Sequence, residues 1–371
     1  MSILVTGGAG FIGSHMPHRL ADLGEQTVVF DNLSTGFRWA IPEDTPLVEG
    51  DIGDQALVNR IIDEHEVDAI IHFAGSIVVP ESIADPLGYY FNNTVKSRAL
   101  MACAVEKGVH HFIFSSTAAV YGAPETMPIT EATPKFPVSP YGSSKLMTET
   151  MLPDTAAAHD FRYVALRYFN VAGADPAGRT GQSTKGATHL IKVACEAAQG
   201  KRSHLDVYGT DYPTTDGTCV RDYIHVWDLA KAHSDALAYL RRGGQSIVMN
   251  CGYSRGGSVL EVIDAVKRVS GRDFEVRLAD RRPGDPPEII AASDLIRKTL
   301  DWQPELDDLD LIVRHALDWE ASPAERRPDC PLDAVPTPPY CCPGKSRNYR
   351  FTAGITRGPG CNVDRKQTAR C

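Results

Sequence analysis

The sequence predicts an α/β chain, a doubly wound parallel sheet with a smaller α/β domain attached to it. Three observations carry that expectation. Short apolar runs (ILVTG, TVVFD, AIIHFAG, FIFSS and YVALRYFN) alternate with helix-length amphipathic stretches through the first half of the chain. Those runs are apolar almost throughout rather than at every second residue, as strands covered on both faces must be. Between the first run and the first helical stretch stands TGGAGFIG, a glycine-rich turn that lets backbone approach a bound phosphate.

In that turn Gly7 permits a tight bend and Gly10 a close approach to a pyrophosphate, while Gly13 lets the following helix pack against the sheet. The first helix is expected over residues 11 to 23. Pro17, well inside it, is expected to kink it at a cost of up to about 3 kcal/mol. The second strand ends at Asp31, 18 residues beyond Gly13, close to the offset of an acid that binds an adenosine ribose. A carboxylate there accepts from the 2'-hydroxyl and repels a 2'-phosphate, which favours NAD over NADP. The alternative is a turn residue closing the strand. Asp51 and Ile52 follow the third strand and could frame the adenine, with Asp51 as an ordinary loop acid the competing view.

FIFSS ends in Ser115, Ser116 and Thr117 at the carboxyl edge, where ligands bind in such sheets, and Thr117 is placed to hydrogen-bond a sugar hydroxyl. In SPYGSSK, Ser139 is an N-cap and Pro140 the first helical residue, so Tyr141 and Lys145 share a face. Spacing alone fits a solvated helix face equally well. As a base near neutral pH, Tyr141 needs its pKa lowered from about 10 by some three units, roughly 4 kcal/mol. A lysine ammonium some 6 Å away, at an effective dielectric of about 20, supplies roughly 2.8 kcal/mol, about two units. The positive ring of an oxidised nicotinamide can supply the rest. When hydride neutralises that ring the tyrosine becomes more basic and keeps its proton, so the step reverses readily.

The division expected is a Rossmann-type domain over residues 1–174, with 222–252 returning to it, and a ligand-binding domain from 175–221 and 253–321. A net charge of −9 argues against a nucleic-acid or anionic-membrane binder. No apolar stretch is long enough to span a bilayer and the N-terminus has no signal-peptide pattern, so a cytoplasmic location is expected. Cys103, Cys195, Cys219 and Cys251 are scattered and read as small buried hydrophobes. Cys330, Cys341, Cys342, Cys361 and Cys371 crowd the end without a C-x-x-C pair or a nearby His, so no metal site is expected. Residues 322–371 hold eight prolines and nine Lys or Arg against four Asp or Glu. That composition predicts a disordered tail, read as a non-native appendage.

The motifs TGGAGFIGSH, DNLSTG, HFAG with PES, FSSTAAVYG, SPYGSSK, LRYFNVAGA, DGTCVRDYIHVWDLA and RRPGD run in order over residues 1 to about 320. In them the chain resembles the extended short-chain dehydrogenase/reductases and, more narrowly, the UDP-glucose 4-epimerase family. The resemblance implies NAD held through each cycle, with Tyr141 as base at the sugar 4-hydroxyl, Lys145 tuning it, and Thr117 assisting. It implies a homodimer in galactose metabolism that inverts C4 through a 4-keto sugar. It further implies cofactor contacts at Phe11, Ile12, Asn32, Phe73, Ala74, Gly75, Asn92, Ser115 and Tyr168, besides the glycines, Asp31, Asp51 and Ile52. For the UDP-sugar it implies Asn170, His189, Leu190, Tyr208, Arg221, Arg282 and Asp285.

Departures from the pattern are Ile77 in place of a lysine near the cofactor, and His189 with Lys192 in place of Asn and Pro. Ile289 replaces a bulky Tyr at the sugar pocket and leaves room for an N-acetyl group. Ala118 and Ala119 stand where a dehydratase carries an Asp-Glu pair, which disfavours dehydration. A UDP-pentose or UDP-N-acetylglucosamine 4-epimerase and a non-catalytic NAD-binding regulator are the alternatives.

Overall fold

Why the apolar runs carry no polar alternation is plain from their place in the molecule. In the computed structural model, which describes residues 1–322 except Pro283, the five runs lie buried within one sheet of seven strands. Its strands are β1 (Ser2–Thr6), β2 (Thr27–Asp31), β3 (Leu47–Glu49), β4 (Val67–His72), β5 (His111–Thr117), β6 (Arg162–Tyr168) and β10 (Ile247–Cys251). Their order is β10-β6-β5-β4-β1-β2-β3, all parallel. The order reverses between β1 and β4, so a crevice opens at their carboxyl ends.

Helices α1 (His15–Asp22), α2 (Gln55–Glu64), α3 (Val79–Ala84), α4 (Pro86–Tyr89), α5 (Lys96–Glu106) and α6 (Pro140–Ala158) connect the first strands. Further on come α7 (Leu190–Ala198), α8 (Val226–Arg241), α9 (Val259–Ser270), α10 (Asp294–Leu300) and α11 (Leu309–Ala321). On one face of the sheet Val5, Ile71, Ile113 and Val164 pack with Met16 and Leu20 of α1 and Leu229 and Leu237 of α8. On the other, Leu4, Ile70, Phe112 and Ala165 pack with Val58 of α2, Leu100 of α5 and Leu152 of α6. Consecutive strand residues thus feed two separate cores, and each strand has to be apolar at every position.

Short strands past β6 build the rest. β9 (Val220–His225) runs parallel to β7 (Asn170–Ala172) and to β13 (Glu288–Ile289) and antiparallel to β11 (Gly256–Ser258). β8 (His204–Tyr208) pairs with β12 (Glu275–Ala279). Caps mark several starts: Ser139 accepts from Gly142 N at 3.2 Å ahead of α6, and Ser258 with Glu261 forms a reciprocal capping box on α9.

The first helix differs from expectation. It begins at His15, because Pro17 has no N–H to offer the Gly13 carbonyl; His15 N and Met16 N close the preceding turn on Ile12 O and Gly13 O at 3.2 and 3.1 Å. Pro17 therefore falls in the first turn, where helix N–H groups have no intrahelical partner, and the interior-proline cost does not apply. Among the described residues no helix is long and apolar enough to cross a membrane, and no group of His, Cys, Asp and Glu could hold a metal ion. The tail expected over 322–371 lies, apart from Ser322, outside the described residues.

Candidate active site

The glycine turn closes on the crevice by contact. Gly7 has φ +69°, and a Cβ on it would stand 2.5 Å from Ala74 N; one on Gly13 would stand 2.1 Å from Gly7 O. Gly10 is different, since a Cβ there would meet only Gly7 O, at 3.4 Å. Gly7 and Gly13 are required by the protein's own packing, whereas the space over Gly10 is left for something else. Asp31, at the end of β2, accepts from Ala9 N at 2.9 Å and Leu33 N at 2.8 Å. Burial raises its pKa against those two bonds, and lone pairs remain on both oxygens for vicinal hydroxyls. Open space over Gly10 together with a buried acid that keeps free lone pairs fits a dinucleotide. Phe11 and Ile12 lie in the turn that opens the cradle, and Asn32 Oδ1 accepts from Ser34 N at 3.1 Å.

Asp51 is committed within the protein. Burial works to raise its pKa, but Lys96 Nζ at 2.5 Å and Gly53 N at 2.8 Å outweigh it and hold the carboxyl below its ordinary range. Ile52 is buried beside Phe30 in the core. Phe73 and Ala74 donate their backbone N–H groups to Thr6 O at 2.9 and 3.1 Å, placing the end of β4 against the glycine turn with Gly75 next. Asn92 turns its amide to Ser76 Oγ at 2.9 Å. Its neighbour Asn93, not singled out from the sequence, is the buried one, joining Ser76 N at 2.7 Å to Ser144 Oγ at 3.0 Å.

At the carboxyl end of β5 the predicted trio assembles. Thr117, Tyr141 and Lys145 are 8%, 7% and 3% exposed, so the pair is not a solvated helix face. Burial raises the Tyr141 phenol above its ordinary pKa, and a hydrogen bond from Thr117 opposes it. Lys145 Nζ donates to Ser115 O at 3.1 Å and lies 5.0 Å from the Phe114 ring centroid. Burial pushes Lys145 down to about 8. The chain's own groups therefore leave the phenol protonated rather than lowered, because desolvation of a phenolate dominates and the ammonium is directed at a carbonyl. Tyr168, on β6, is raised by burial and by nearby Tyr141, and hydrogen-bonds Ser115. Ser115 Oγ also lies 2.8 Å from His233 Nε2, and that ring packs tilted against Phe73 with the centroids 4.7 Å apart. Helical periodicity places His233 on the buried side of α8, but nothing in its sequence neighbourhood signals a contact with β5.

The second wall is more open. Arg282 Nε donates to Asp285 Oδ2 at 2.8 Å, Arg221 Nη2 lies 4.0 Å from Asp285 Oδ1, and the Arg282 guanidinium sits 4.9 Å from the Tyr208 ring. These four residues come from β8, β9 and the loop before β13. Asn170, His189 and Leu190 line a small cavity of about 20 Å³ with Tyr223 and Trp319. The pairing of Asn170 with Tyr223 along β9 joins this group to Arg221, two residues back. His189 Nδ1 lies 2.8 Å from Gln182 Nε2, and Lys192 pairs with Glu320 and, at 3.4 Å, with Glu196. Ile77 is 46% exposed, whereas Ile289 packs into a cluster with Ala118 and Phe169.

A buried tyrosine and lysine facing a glycine cradle across the carboxyl edge of a parallel sheet define a short-chain dehydrogenase/reductase of the extended kind. Comparison narrows that class. Residues 3–252 match the model of the NAD dependent epimerase/dehydratase family, and the chain belongs to it. It is 60% identical to a UDP-glucose 4-epimerase of Azospirillum brasilense over 86% of this chain and 92% of that one. The structure of a UDP-glucose 4-epimerase from Brucella ovis in complex with NAD is 45% identical, with TM-score 0.83 over 85% of this chain and 97% of that one. The UDP-Glc/GlcNAc 4-epimerase of Campylobacter jejuni is 48% identical, with TM-score 0.76 over 86% and 98%.

Proposed function

We propose that this protein is an NAD-dependent UDP-hexose 4-epimerase that interconverts UDP-galactose and UDP-glucose. The observation that carries the proposal is the buried Thr117–Tyr141–Lys145 group beside the open space over Gly10, in a chain 60% identical to an enzyme of that activity. NAD, when bound, supplies the hydride acceptor and donor at C4. Asp31 holds the adenosine ribose, and the backbone of Gly10, Phe11 and Ile12 takes the pyrophosphate. Tyr141 removes the 4-hydroxyl proton and returns it to the keto oxygen, so its protonation follows the reaction in both directions. Thr117 donates to the same phenol and steadies the phenolate. Lys145, kept at the end of β5 by the Ser115 carbonyl, supplies the local cation.

Exposed Arg282 and Tyr208, with half-buried Arg221 and Asp285, grip the UDP portion, and Asn170, His189 and Leu190 line the recess beyond. Gripping the nucleotide rather than the sugar leaves the hexose free to present either face. Residues 1–174 with 222–252 are the cofactor-binding part in this account, and 175–221 with 253–321 the UDP-sugar part.

A homodimer accompanies the proposal. Ile83, Leu87, Phe91 and Val95, spaced by four along α3, α4 and the π-type turn that follows, are 65%, 77%, 59% and 50% exposed. A contiguous apolar stripe of that kind suits a second copy. A cytoplasmic setting is proposed with it, in keeping with the free thiols of Cys103, Cys195, Cys219 and Cys251.

Purified protein is expected to retain nicotinamide and to interconvert UDP-galactose and UDP-glucose without added cofactor. A stable 4-keto-6-deoxy product would instead establish a dehydratase, which Ala118 and Ala119 disfavour. Ile289 supports a second substrate, UDP-N-acetylglucosamine, because its side chain is folded into the apolar cluster beside Ala118. No turnover of that substrate beside good UDP-galactose activity would remove it.

A further inference from the structure

Tyr141, Lys145 and Glu149 stand at four-residue intervals along one face of α6, and all are buried. The third belongs to none of the motifs. Its carboxylate is gripped by Arg167 of β6, with Nε at 2.9 and 3.2 Å from the two oxygens and Nη2 at 2.6 Å from Oε2, and it also accepts from Ser116 Oγ of β5. From Arg167 the network continues: Nη1 donates to the Tyr121 hydroxyl at 2.8 Å, which donates to Asn250 Oδ1 at 2.7 Å. Asn250 lies on β10 and donates to Ile129 O at 2.9 Å. One carboxylate thus ties the helix carrying Tyr141 and Lys145 to the strand ends carrying Ser115 and Thr117.

The surroundings of Lys145 give that carboxylate a second task. From β5 the lysine faces the Ser115 carbonyl and the Phe114 ring, from β4 it faces His72, and beside Gly75 it lies near the Asn93 amide. Tyr168 of β6 and His233 of α8 close the site behind Ser115, and Tyr141 stands one turn away on the same helix. Burial pushes His72 to about 3 and His233 to about 4, so both are neutral near pH 7, as the two tyrosines are. Arg167 is a cation turned to Glu149. Of the groups facing Lys145 among the described residues, Glu149 is the acid, and it opposes the burial that pulls the lysine down.

We propose that Glu149 is a positioning residue which, locked by Arg167 and Ser116, keeps Lys145 cationic and in register with Tyr141. The proposal rests on the roles given above to Tyr141 and Lys145. It acts through Lys145 alone and touches neither substrate nor cofactor.

The test compares holoenzyme carrying Glu149→Gln, Arg167→Met, or both. The double variant removes the buried pair together, because stranding one buried charge is what unfolds such sites. The Lys145 side-chain nitrogen is titrated by heteronuclear NMR, its signal assigned by its loss in Lys145→Met, and kcat is measured against pH. Without Glu149 the lysine midpoint is expected to fall by about one pH unit in both variants that lack it, with the alkaline limb of kcat falling to lower pH alongside. Arg167→Met, which keeps the carboxylate, is expected to show no downward shift. An unmoved lysine midpoint in the double variant, or an equal fall in Arg167→Met, overturns the proposal. A lysine midpoint that falls while the kcat profile stays in place upholds the role of Glu149 and rejects the one assigned to Lys145.

Discussion

The two walls of the cleft are built on opposite principles. On the wall built by β5 and α6, Thr117, Tyr141 and Lys145 are nearly sealed, and each is tied to the sheet edge or to its neighbour. On the wall built by β8, β9 and the loop before β13, the Arg282 side chain is 56% exposed, Tyr208 is 40% exposed, and their partners lie on a short strand and a loop. In a dry site a displaced donor or charge keeps its full cost, whereas in a wet one solvent screens it. Changes on the first wall should therefore register in chemistry and folding, and changes on the second in binding.

The sharpest test of that contrast is Tyr141→Phe, which should lower kcat by about 10³-fold. Retention of more than a few per cent of activity would move the base elsewhere. Gly13→Ala comes next. Its new Cβ, 2.1 Å from Gly7 O, meets backbone that cannot yield. A loss of about 3 kcal/mol in stability and of retained nicotinamide is expected in thermal melts and absorbance spectra. Lys145→Met should raise the apparent pKa of Tyr141, since a cation favours the phenolate. The acid limb of the rate profile should then move up by about two pH units, and an unmoved limb would leave the lysine without an electrostatic role.

On the open wall Arg282→Ala should raise KM by less than about tenfold with kcat nearly unchanged, as a screened contact shared by ground and transition states would. A fall in kcat of a hundredfold there would erase the distinction between the walls. The smallest effect expected is that of Pro17→Ala, within about 1 kcal/mol of the parent in denaturant melts, because the proline occupies a first turn. A gain of several kcal/mol would mean that the proline strains the helix after all.

The same contrast explains how far the site was legible in advance. Gly7 and Gly13 share one turn, Asp31 and Thr117 each end a strand, and Tyr141 and Lys145 share one helix face, so local patterns are enough to bring them forward. Arg221, Arg282, Asp285 and Tyr208 are far apart in sequence, and only the resemblance in RRPGD and DGTCVRDYIHV pointed to them. His233 had no signal, since it reaches Ser115 from α8, and Arg167, although inside LRYFNVAGA, carried no sign of its tie to Glu149 on α6. Glu149 had one, the four-residue step after Lys145, but on a helix that step is shared by many buried acids and surface acids alike. The start of α1 was misplaced because a proline reads as an interior break until the turn before it is seen to close on Ile12 and Gly13.

By itself, then, the sequence determined the apolar strand runs, the glycine cradle, the acid that ends β2 and the shared face of Tyr141 and Lys145, each set by spacing within its own segment. Tertiary structure decided that this face is dry, that Thr117 rather than Lys145 is the tyrosine's hydrogen-bond partner, and that a glutamate held by Arg167 lies behind the lysine. Desolvation and long-range pairing produce those outcomes, and both depend on what the other strands bring to the same edge.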